Sequence, residues 1–266
     1  MMTSKKGQHM MESGPPRLSL LAAEGGRAAA ELALCLAARP LLAHAPVGDG
    51  HPVLVLPGLG GDDRSTRVLR RYLRTRGYHA HGWRLGRNIG PTQQVADGLS
   101  ARLERLGEQH GRTVSVVGWS LGGIYARLLA QQSPTLVRQV ITLGSPFQLT
   151  AATPTRAKWL FDRYSHLHVT QPVSTDPTYS DPLSVPATSV YSRTDGIVSW
   201  RSCLDVDGPL SQNIEVIGSH CGLGHHPAVL WLLADRLAQP EGSWSRFSAR
   251  TVAAPLFASR AGHAAA

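Results

Sequence analysis

The sequence predicts an α/β protein with a mainly parallel β-sheet and helices on both faces. Between Val53 and Gln239, short apolar runs rich in β-branched residues alternate with longer segments of helical periodicity. Strands that alternate with helices in this way pair in parallel, and such a sheet is covered on both faces. Glycine-containing loops follow several of the apolar runs. The loops at the carboxyl ends of parallel strands are where such proteins build functional sites.

Composition and charge narrow the class of protein. The chain has 266 residues, with 42% hydrophobic and 17% charged residues, which is typical of a globular domain. Its formal net charge is +9, but the excess consists mostly of arginines spread through helical segments, without interleaved aromatic residues. We therefore expect a basic surface and no nucleic-acid partner. Attraction to anionic lipid surfaces or acidic substrates is the second interpretation.

The chain divides into four parts. They are a disordered start (1–16), an N-terminal helical arm (17–46), the α/β domain (47–240) and a weakly structured tail (241–266). We expect the arm to be broken at Gly25–Gly26, to end near Pro40 and to pack on the domain. An amphipathic helix that lies on a membrane surface is the alternative for this arm.

Each apolar run inside the domain is predicted to be a strand, and each periodic segment a helix. The strands lie in "PVLVL", "YHAHGWRLG", "RTVSVV", "VRQVITLGSPF", "ATSVYS" and "NIEVIG". The helices lie in "STRVLRRYLRTRG", "TQQVADGLSARLERLG", "IYARLLAQQ" and "PAVLWLLADRLAQ". Between Phe147 and Val185 there is room for a small cap of one or two helices, or for no cap.

Ser120 lies on a predicted strand-to-helix turn, in "VVGWSLGG". A serine on such a turn has strained backbone geometry, and glycines two positions before and after it keep the strand and the helix from clashing. Its hydroxyl then stands clear of the sheet at the positive end of a helix dipole. A serine that merely caps the helix is the alternative. In this context we interpret Ser120 as a nucleophile.

A serine nucleophile needs a histidine base that a carboxylate orients, and for this kind of turn the chain order is serine, acid, histidine. Asp195 comes just beyond a clear strand, in "VYSRTDGIV", and we favour it as the acid over a simple Asp-Gly turn former. The other candidates for the acid after Ser120 are Asp162, Asp176, Asp181, Asp205, Asp207, Glu215 and Asp235.

Three histidines could supply the base. His220, His225 and His226 all lie between the last strand and the last helix, in "GSHCGLGHHPAVL". His220 is nearest the strand end, whereas the other two could instead shape the start of the helix. Spacing alone does not choose among them.

Acyl transfer also needs hydrogen-bond donors for the oxyanion. The backbone N–H of Leu121, directly after the nucleophile, is the first donor. The second is the backbone N–H of Leu59 in "LPGLGG", where glycines let the loop turn toward the site. A phosphate-binding role for "GLGGDD" is weak, because the P-loop lysine is missing and Asp62 and Asp63 would repel phosphate.

Four segments resemble the α/β-hydrolase superfamily, and within it the bacterial lipases and esterases. They are "LPGLGG" as the oxyanion loop, "GWSLGG" as the nucleophile turn, "YSRTDGIVSW" as the acid loop and "SHCGLGHHPAV" as the histidine loop. The His-x-Gly-Leu of the last segment resembles small bacterial lipases, which implies that His220 is the base. One departure is Pro57-Gly58, where many lipases have His-Gly.

The resemblance and the residues together predict a serine hydrolase that cleaves carboxylic esters of acyl chains, with Ser120, Asp195 and His220 as its triad. The expected partner is a small acyl ester, with a lipid surface as a further partner and no cofactor or metal. An acyltransferase on the same triad, or a fold relative that only binds a partner, are the alternatives. The sequence predicts neither the acyl-chain length of the substrate nor the oligomeric state of the protein. The candidates for the walls of an acyl pocket are Trp119, Trp159, Phe161 and Trp200.

Two further features bear on metal binding and on location. Asp205 and Asp207 could suggest calcium, but two carboxylates are thin support, and we expect a solvated loop. No signal peptide or membrane-spanning helix is evident, so the cytoplasm is the expected location. Free thiols at Cys203 and Cys221 fit that location, and a disulfide between them is the alternative, which would favour export. Cys35 is expected to be free in either case.

Overall fold

The chain forms a helix-covered parallel sheet in the computed structural model. The structure describes residues 15–148, 155–156, 158–168, 180–248 and 256–257, without the side chains of residues 159–161. All but the last two residues of the predicted disordered start therefore lie outside the described part of the chain.

Within the described residues, six strands form one sheet in which every neighbouring pair is parallel. They are β1 (Pro52–Leu56), β2 (His79–Gly82), β3 (Val114–Trp119), β4 (Val137–Leu143), β5 (Ala187–Tyr191) and β6 (Ser211–Glu215), in the order β2-β1-β3-β4-β5-β6. The predicted parallel α/β architecture is confirmed, and all six predicted strands are present.

Helices cover both faces of this sheet. They are α1 (Leu18–Ala37), α2 (Arg39–Leu42), α3 (Arg67–Thr75), α4 (Gln93–His110), α5 (Leu121–Gln132), α6 (Lys158–Arg163) and α7 (Pro227–Leu237). In β1, Val53 and Val55 belong to the core beneath α3 and α7, while Leu54 and Leu56 belong to the core beneath α4 and α5. A strand whose alternate residues enter two cores is buried on both faces, which explains its unbroken apolar sequence.

The N-terminal arm differs from the sequence-based expectation. α1 runs without interruption through Gly25–Gly26, so the predicted break there is wrong. The chain instead turns at Ala38, and α2 begins with Pro40 in its first turn, where proline is tolerated. Two glycines cost a helix roughly 2 kcal/mol relative to alanines. In α1 that cost is offset by contacts of Glu24, Arg27 and Glu31 with the domain.

Residues 241–248 of the predicted tail form no helix or strand. Phe247 packs against Phe257 at a ring-centroid distance of 4.9 Å and lies beneath the guanidinium of Arg236 in α7. None of the described helices combines the length and the apolar character needed to cross a membrane.

Candidate active site

Ser120 stands at the junction of β3 and α5 with φ 53° and ψ −122°. A positive φ is uncommon for a residue other than glycine and costs on the order of 1–3 kcal/mol, so the surrounding structure must enforce it. The side chain makes no capping hydrogen bond, although the residue occupies the N-cap position of α5. The interpretation of Ser120 as a helix-capping serine is therefore wrong.

Glycines make this sharp turn possible. A Cβ on Gly118 would overlap the carbonyl of Gly122, and a Cβ on Gly122 would lie 2.5 Å from the carbonyl oxygen of Leu56 in β1. Neither position could therefore hold a side chain without a shift of the backbone. The two glycines therefore let α5 cross close to β1 and β3, with Ser120 at the carboxyl end of the sheet.

Asp195 lies in the loop after β5 and is 3% exposed. Its Oδ1 accepts the backbone N–H groups of Ile197 and Val198, both at 2.8 Å. Its Oδ2 accepts a hydrogen bond from Nδ1 of His220 at 2.6 Å. The two backbone donors fix the carboxylate, and Oδ2 is thereby directed at the imidazole.

His220 lies in the loop after β6 and is also buried. Burial alone would lower its pKa, but the Asp195 carboxylate and, to a lesser degree, Glu24 outweigh that effect, and the pKa is raised. Because Asp195 occupies Nδ1, the other ring nitrogen, Nε2, is the one left to handle a proton.

The other two histidines have different partners. His226 caps α7, where its Nδ1 accepts the backbone N–H of Ala228 at 3.2 Å. His225 places Nε2 at 2.9 Å from the carbonyl oxygen of Ala28 in α1. Of the three, His220 is the one whose ring forms a hydrogen bond with a carboxylate.

Ser120 and His220 are linked by contacts of residues close to them, not by a direct hydrogen bond. Within the described residues, Ser120 makes no side-chain hydrogen bond to His220. Trp119 donates its indole N–H to the carbonyl of His220 at 3.1 Å. The backbone N–H of Ser120 donates to the carbonyl oxygen of Leu143. Gly144 follows Leu143 in the chain, and a Cβ on Gly144 would lie 3.1 Å from Nδ1 of His220. Catalytic hydrogen bonds are often long before substrate binds.

The predicted oxyanion loop lies against the serine. A Cβ on Gly58 would be 3.1 Å from Cβ of Ser120. The backbone N–H groups of Leu59 and Leu121 donate to no acceptor among the described residues. Asn88, fully buried, holds the loop: its Nδ2 donates to the Pro57 carbonyl at 2.8 Å, and its backbone bonds both Gly60 and Gly61. Asn88 is not part of any motif recognised in the sequence, so the sequence analysis missed it.

The arm helix α1 reaches the acid and histidine loops, a contact that the sequence analysis missed. Glu24 accepts backbone N–H groups from both loops, and Glu31 accepts from Ser219. The only available signal was their spacing, because Glu24, Arg27 and Glu31 recur at three and four residues and so share one helix face.

Two of the four aromatic candidates for the walls of an acyl pocket, Trp119 and Trp200, have described side chains. Trp119 packs against the histidine loop, where a Cβ on Gly224 would lie 2.7 Å from its ring. Trp200 stacks on Tyr191 and lines a cavity of about 530 Å³ together with Asp195. The side chains of Trp159 and Phe161 lie outside the described part of the chain.

Asp205 is not part of a solvated loop, so that expectation is wrong. It is buried and forms an ion pair with Arg127 of α5 at 2.6 Å, because α5 presents a guanidinium to the loop after β5. Asp207 is exposed. Across the described residues, no group of three or more acidic, histidine or cysteine side chains could hold a metal ion. Cys35, Cys203 and Cys221 are all free thiols, so the alternative disulfide is not formed.

A second serine–histidine–aspartate series lies at the opposite edge of the sheet. Nδ1 of His51 is 2.5 Å from Asp49, and its Nε2 is 2.9 Å from Oγ of Ser115 near the start of β3. Ser115 and His51 have no exposed surface, so a substrate cannot reach this hydroxyl. The series ties the amino ends of β1 and β3 together.

Comparison with known proteins identifies the fold. No family model and no curated protein matches the sequence. Among solved structures, Aspergillus fumigatus lipase B superposes with a TM-score of 0.54 at 16% identity; the match covers 91% of this chain and 64% of the lipase. The chain thus spans under two thirds of that lipase.

Two shorter relatives are matched over most of their length. An α/β-hydrolase enzyme from a lagoon-sediment metagenome of Mar Chica, Morocco, has a TM-score of 0.51 at 16% identity, over 71% of this chain and 90% of its own. A candidate non-heme bromoperoxidase from Mycobacterium tuberculosis has a TM-score of 0.51 at 16% identity, over 73% and 97%. This chain therefore has the α/β-hydrolase fold.

Proposed function

We propose that the protein is a serine hydrolase that cleaves carboxylic esters of acyl chains, in the manner of a lipase or esterase. The observation that carries the proposal is the pairing of His220 with Asp195 at 2.6 Å at the same sheet edge as the strained Ser120. Lipases among the structural neighbours support a hydrolase, while the fold also hosts other chemistry.

In the proposed reaction Ser120 Oγ attacks the acyl carbonyl carbon, and Nε2 of His220 takes the hydroxyl proton. Asp195 holds the imidazole in the required tautomer and stabilises the imidazolium. His220 then gives the proton to the leaving alcohol, and an acyl-enzyme remains on Ser120. Water, deprotonated by His220, attacks this ester; the tetrahedral intermediate releases the carboxylic acid, and His220 returns the proton to Oγ of Ser120.

The negative charge that develops on the carbonyl oxygen needs fixed donors. We assign this role to the backbone N–H groups of Leu59 and Leu121. Support comes from the nearness of Gly58 to Ser120 and from the bracing of the loop by Asn88. The reaction so written requires no cofactor or metal.

A fluorophosphonate probe tests the nucleophile. We expect the wild-type protein to be labelled and Ser120→Ala to be unlabelled. Ser133→Ala, at the other end of α5, is the matched control and should be labelled like the wild type. Labelling of Ser120→Ala that disappears in Ser115→Ala would place the nucleophile in the second series and overturn the proposal.

Product analysis separates the alternatives. A panel of p-nitrophenyl esters from acetate to palmitate should show hydrolysis and reveal the preferred chain length. If a competing alcohol instead captures nearly all of the acyl group, the protein is an acyltransferase. A folded protein that the probe does not label would be a binding relative.

We also propose that α1 contacts an anionic lipid surface. Its charged residues Glu24, Arg27 and Glu31 bond to the domain, so its outward face is apolar. The exposed residues of that face include Leu18, Leu21, Leu32 and Leu36. Exposed arginines, Arg17 and Arg39, flank the helix and complement anionic headgroups.

Vesicle sedimentation tests this contact. The wild-type protein should sediment with phosphatidylglycerol-containing vesicles, less with pure phosphatidylcholine, and the Leu21→Gln/Leu32→Gln variant should bind weakly to both. If the wild-type protein stays in solution and light scattering shows a dimer that this variant abolishes, a second copy of the chain covers the face instead.

A further inference from the structure

Glu24 joins the two loops that carry the proposed acid and base. Its Oε1 accepts the backbone N–H of Gly196 at 2.8 Å and that of His220 at 3.0 Å. Its Oε2 accepts the N–H of Cys221 at 2.9 Å. Gly196 directly follows Asp195, so one carboxylate binds the backbone beside the acid and the backbone of the base itself.

The carboxylate is buried, and its bonds replace water. Glu24 is 4% exposed although it belongs to a helix that lies on the surface. A buried carboxylate is costly unless donors surround it. Three backbone N–H groups supply that compensation, and Arg27 lies at 4.0 Å. This set of donors exists only while the two loops keep their present separation.

Other contacts join the same loops, so the effect of Glu24 must be separated from general anchoring. Ser192 Oγ donates to the carbonyl of Gly218 at 2.7 Å. Glu31 accepts from the backbone and the hydroxyl of Ser219 at 2.7 Å and 2.5 Å. Ser219 belongs to the histidine loop, so Glu31 anchors α1 to that loop without bonding the backbone of His220.

We propose that Glu24 is a positioning residue of the active site: by holding the N–H groups of Gly196, His220 and Cys221 together, it sets the geometry in which His220 meets Asp195. The inference rests on the proposed function, since it assigns a role relative to that triad. Glu24 touches no reacting atom and acts through the two loops.

The charge of Glu24 gives this role a signature that simple anchoring lacks. Its carboxylate raises the pKa of His220, in the same direction as Asp195. In Glu24→Gln the negative charge is lost, and the amide NH₂ faces either the N–H of Cys221 or those of Gly196 and His220. The His220 pKa should therefore fall, and the acidic limb of the kcat/KM profile should move to lower pH.

The test compares Glu24→Gln with Glu31→Gln in the full chain. The second variant makes the same charge change on the same helix face, seven residues along. We expect Glu24→Gln to lower kcat on the order of 10–100-fold with little change in KM, because small displacements of catalytic groups are costly. Its acidic limb should move to lower pH. Glu31→Gln should lose less kcat and keep the limb nearer the wild-type position.

Two results would overturn the proposal. One is that Glu24→Gln keeps both the wild-type kcat and the wild-type position of the acidic limb of the kcat/KM profile. The other is an equal loss in both variants with neither limb moved, which would reduce Glu24 to an anchor of α1. If Glu24→Gln does not fold, Glu24→Asp decides. That variant keeps the charge but shortens the reach, so kcat should fall with the limb near its wild-type position, and an unchanged kcat overturns the proposal.

An NMR titration of the His220 ring separates this proposal from the proposed function. If the fluorophosphonate probe does not label the wild-type protein, the hydrolase proposal fails, but the titration still reports on Glu24. A lower pKa of His220 in Glu24→Gln supports the positioning role. If Glu24→Gln does not fold, an altered signal of the His220 Nδ1 proton in Glu24→Asp supports it instead. Spectra unchanged from the wild type reject it.

Discussion

Oδ2 of Asp195 lies 2.6 Å from Nδ1 of His220, with both side chains buried. The carboxylate outweighs the effect of burial and raises the pKa of the imidazole above its ordinary value. A base must be neutral to accept a proton, so a raised pKa moves the rise of activity toward alkaline pH. This pair therefore determines the pH range in which the proposed reaction runs.

The first prediction concerns that range. kcat/KM should rise with pH and reach its half-maximal value above pH 6.5, the ordinary pKa of histidine. Asp195→Asn should lower kcat by on the order of 10⁴, because the imidazole loses its partner and its tautomer. A profile half-maximal below pH 6 in the wild-type protein would show that burial dominates the pKa of His220.

The second prediction identifies the base. His220→Ala should lower kcat by several orders of magnitude with little loss of fold. His226→Ala removes the N-cap of α7, so it should cost about 1 kcal/mol of stability and little activity. kcat measured alongside a thermal melt separates the two effects. An inactive His226→Ala with an active His220→Ala would make the assignment wrong.

The third prediction concerns the oxyanion donors. Leu59→Ala keeps the backbone N–H and should retain most activity, whereas Leu59→Pro removes it and should lower kcat on the order of 10²–10³. Circular dichroism checks that both variants are folded. A folded Leu59→Pro with normal kcat would show that the donor is another group.

The fourth prediction concerns stability and His51. Burial lowers the pKa of His51 to about 4, so the folded protein resists protonation while the unfolded chain takes up a proton below about pH 6.5. The stability from this group is present above pH 6.5 and is lost as pH falls toward 4. It should amount to about 2 kcal/mol of unfolding free energy between pH 7 and pH 5.

Urea unfolding at several pH values measures this loss. His51→Gln should be less stable at pH 7 but should lose less stability on acidification. His44→Gln is the matched control at an exposed site and should follow the wild-type curve. Equal slopes for His51→Gln and the wild type would mean that other groups carry the pH dependence.

The sheet and the nucleophile turn were predictable because their signals are local. An unbroken apolar run such as Val53–Leu56 reports burial on both faces, and the glycines around Ser120 report a tight strand-to-helix crossing. Both signals lie within ten residues of the feature that they predict, so periodicity and turn chemistry were sufficient.

The support of the site was not predictable, because it depends on contacts between distant parts of the chain. Glu24 bonds His220 across 196 residues, and Asn88 bonds Pro57 across 31. In the sequence, Glu24 is one of two acidic residues in an alanine-rich helix, and nothing local indicates which residues it contacts. The same limit explains Asp205, whose partner Arg127 lies 78 residues earlier, on a helix for which no contact with this loop was predicted.

The last prediction concerns the cysteines, whose free state was favoured from the sequence together with a cytoplasmic location. Cys203 is buried, with its thiol 3.7 Å from the carbonyl of Ser199, whereas Cys221 is exposed. Their loops are neighbours, but the two sulfurs are not bonded. Titration of the unfolded, unreduced protein with a thiol reagent should therefore find three reactive groups.

The native protein should expose one accessible thiol, which should react slowly at neutral pH because burial and the carboxylates of Glu24, Asp195 and Glu31 raise the pKa of Cys221 to about 12. Cys35 and Cys203 are buried, so Cys221 should react first, and Cys221→Ser should remove that phase while leaving two thiols in the unfolded chain. A single thiol in the unfolded, unreduced protein would mean that Cys203 and Cys221 are bridged in solution. Such a bridge would pin the histidine loop to the acid loop and would favour an oxidising compartment, so the cytoplasmic location would have to be abandoned.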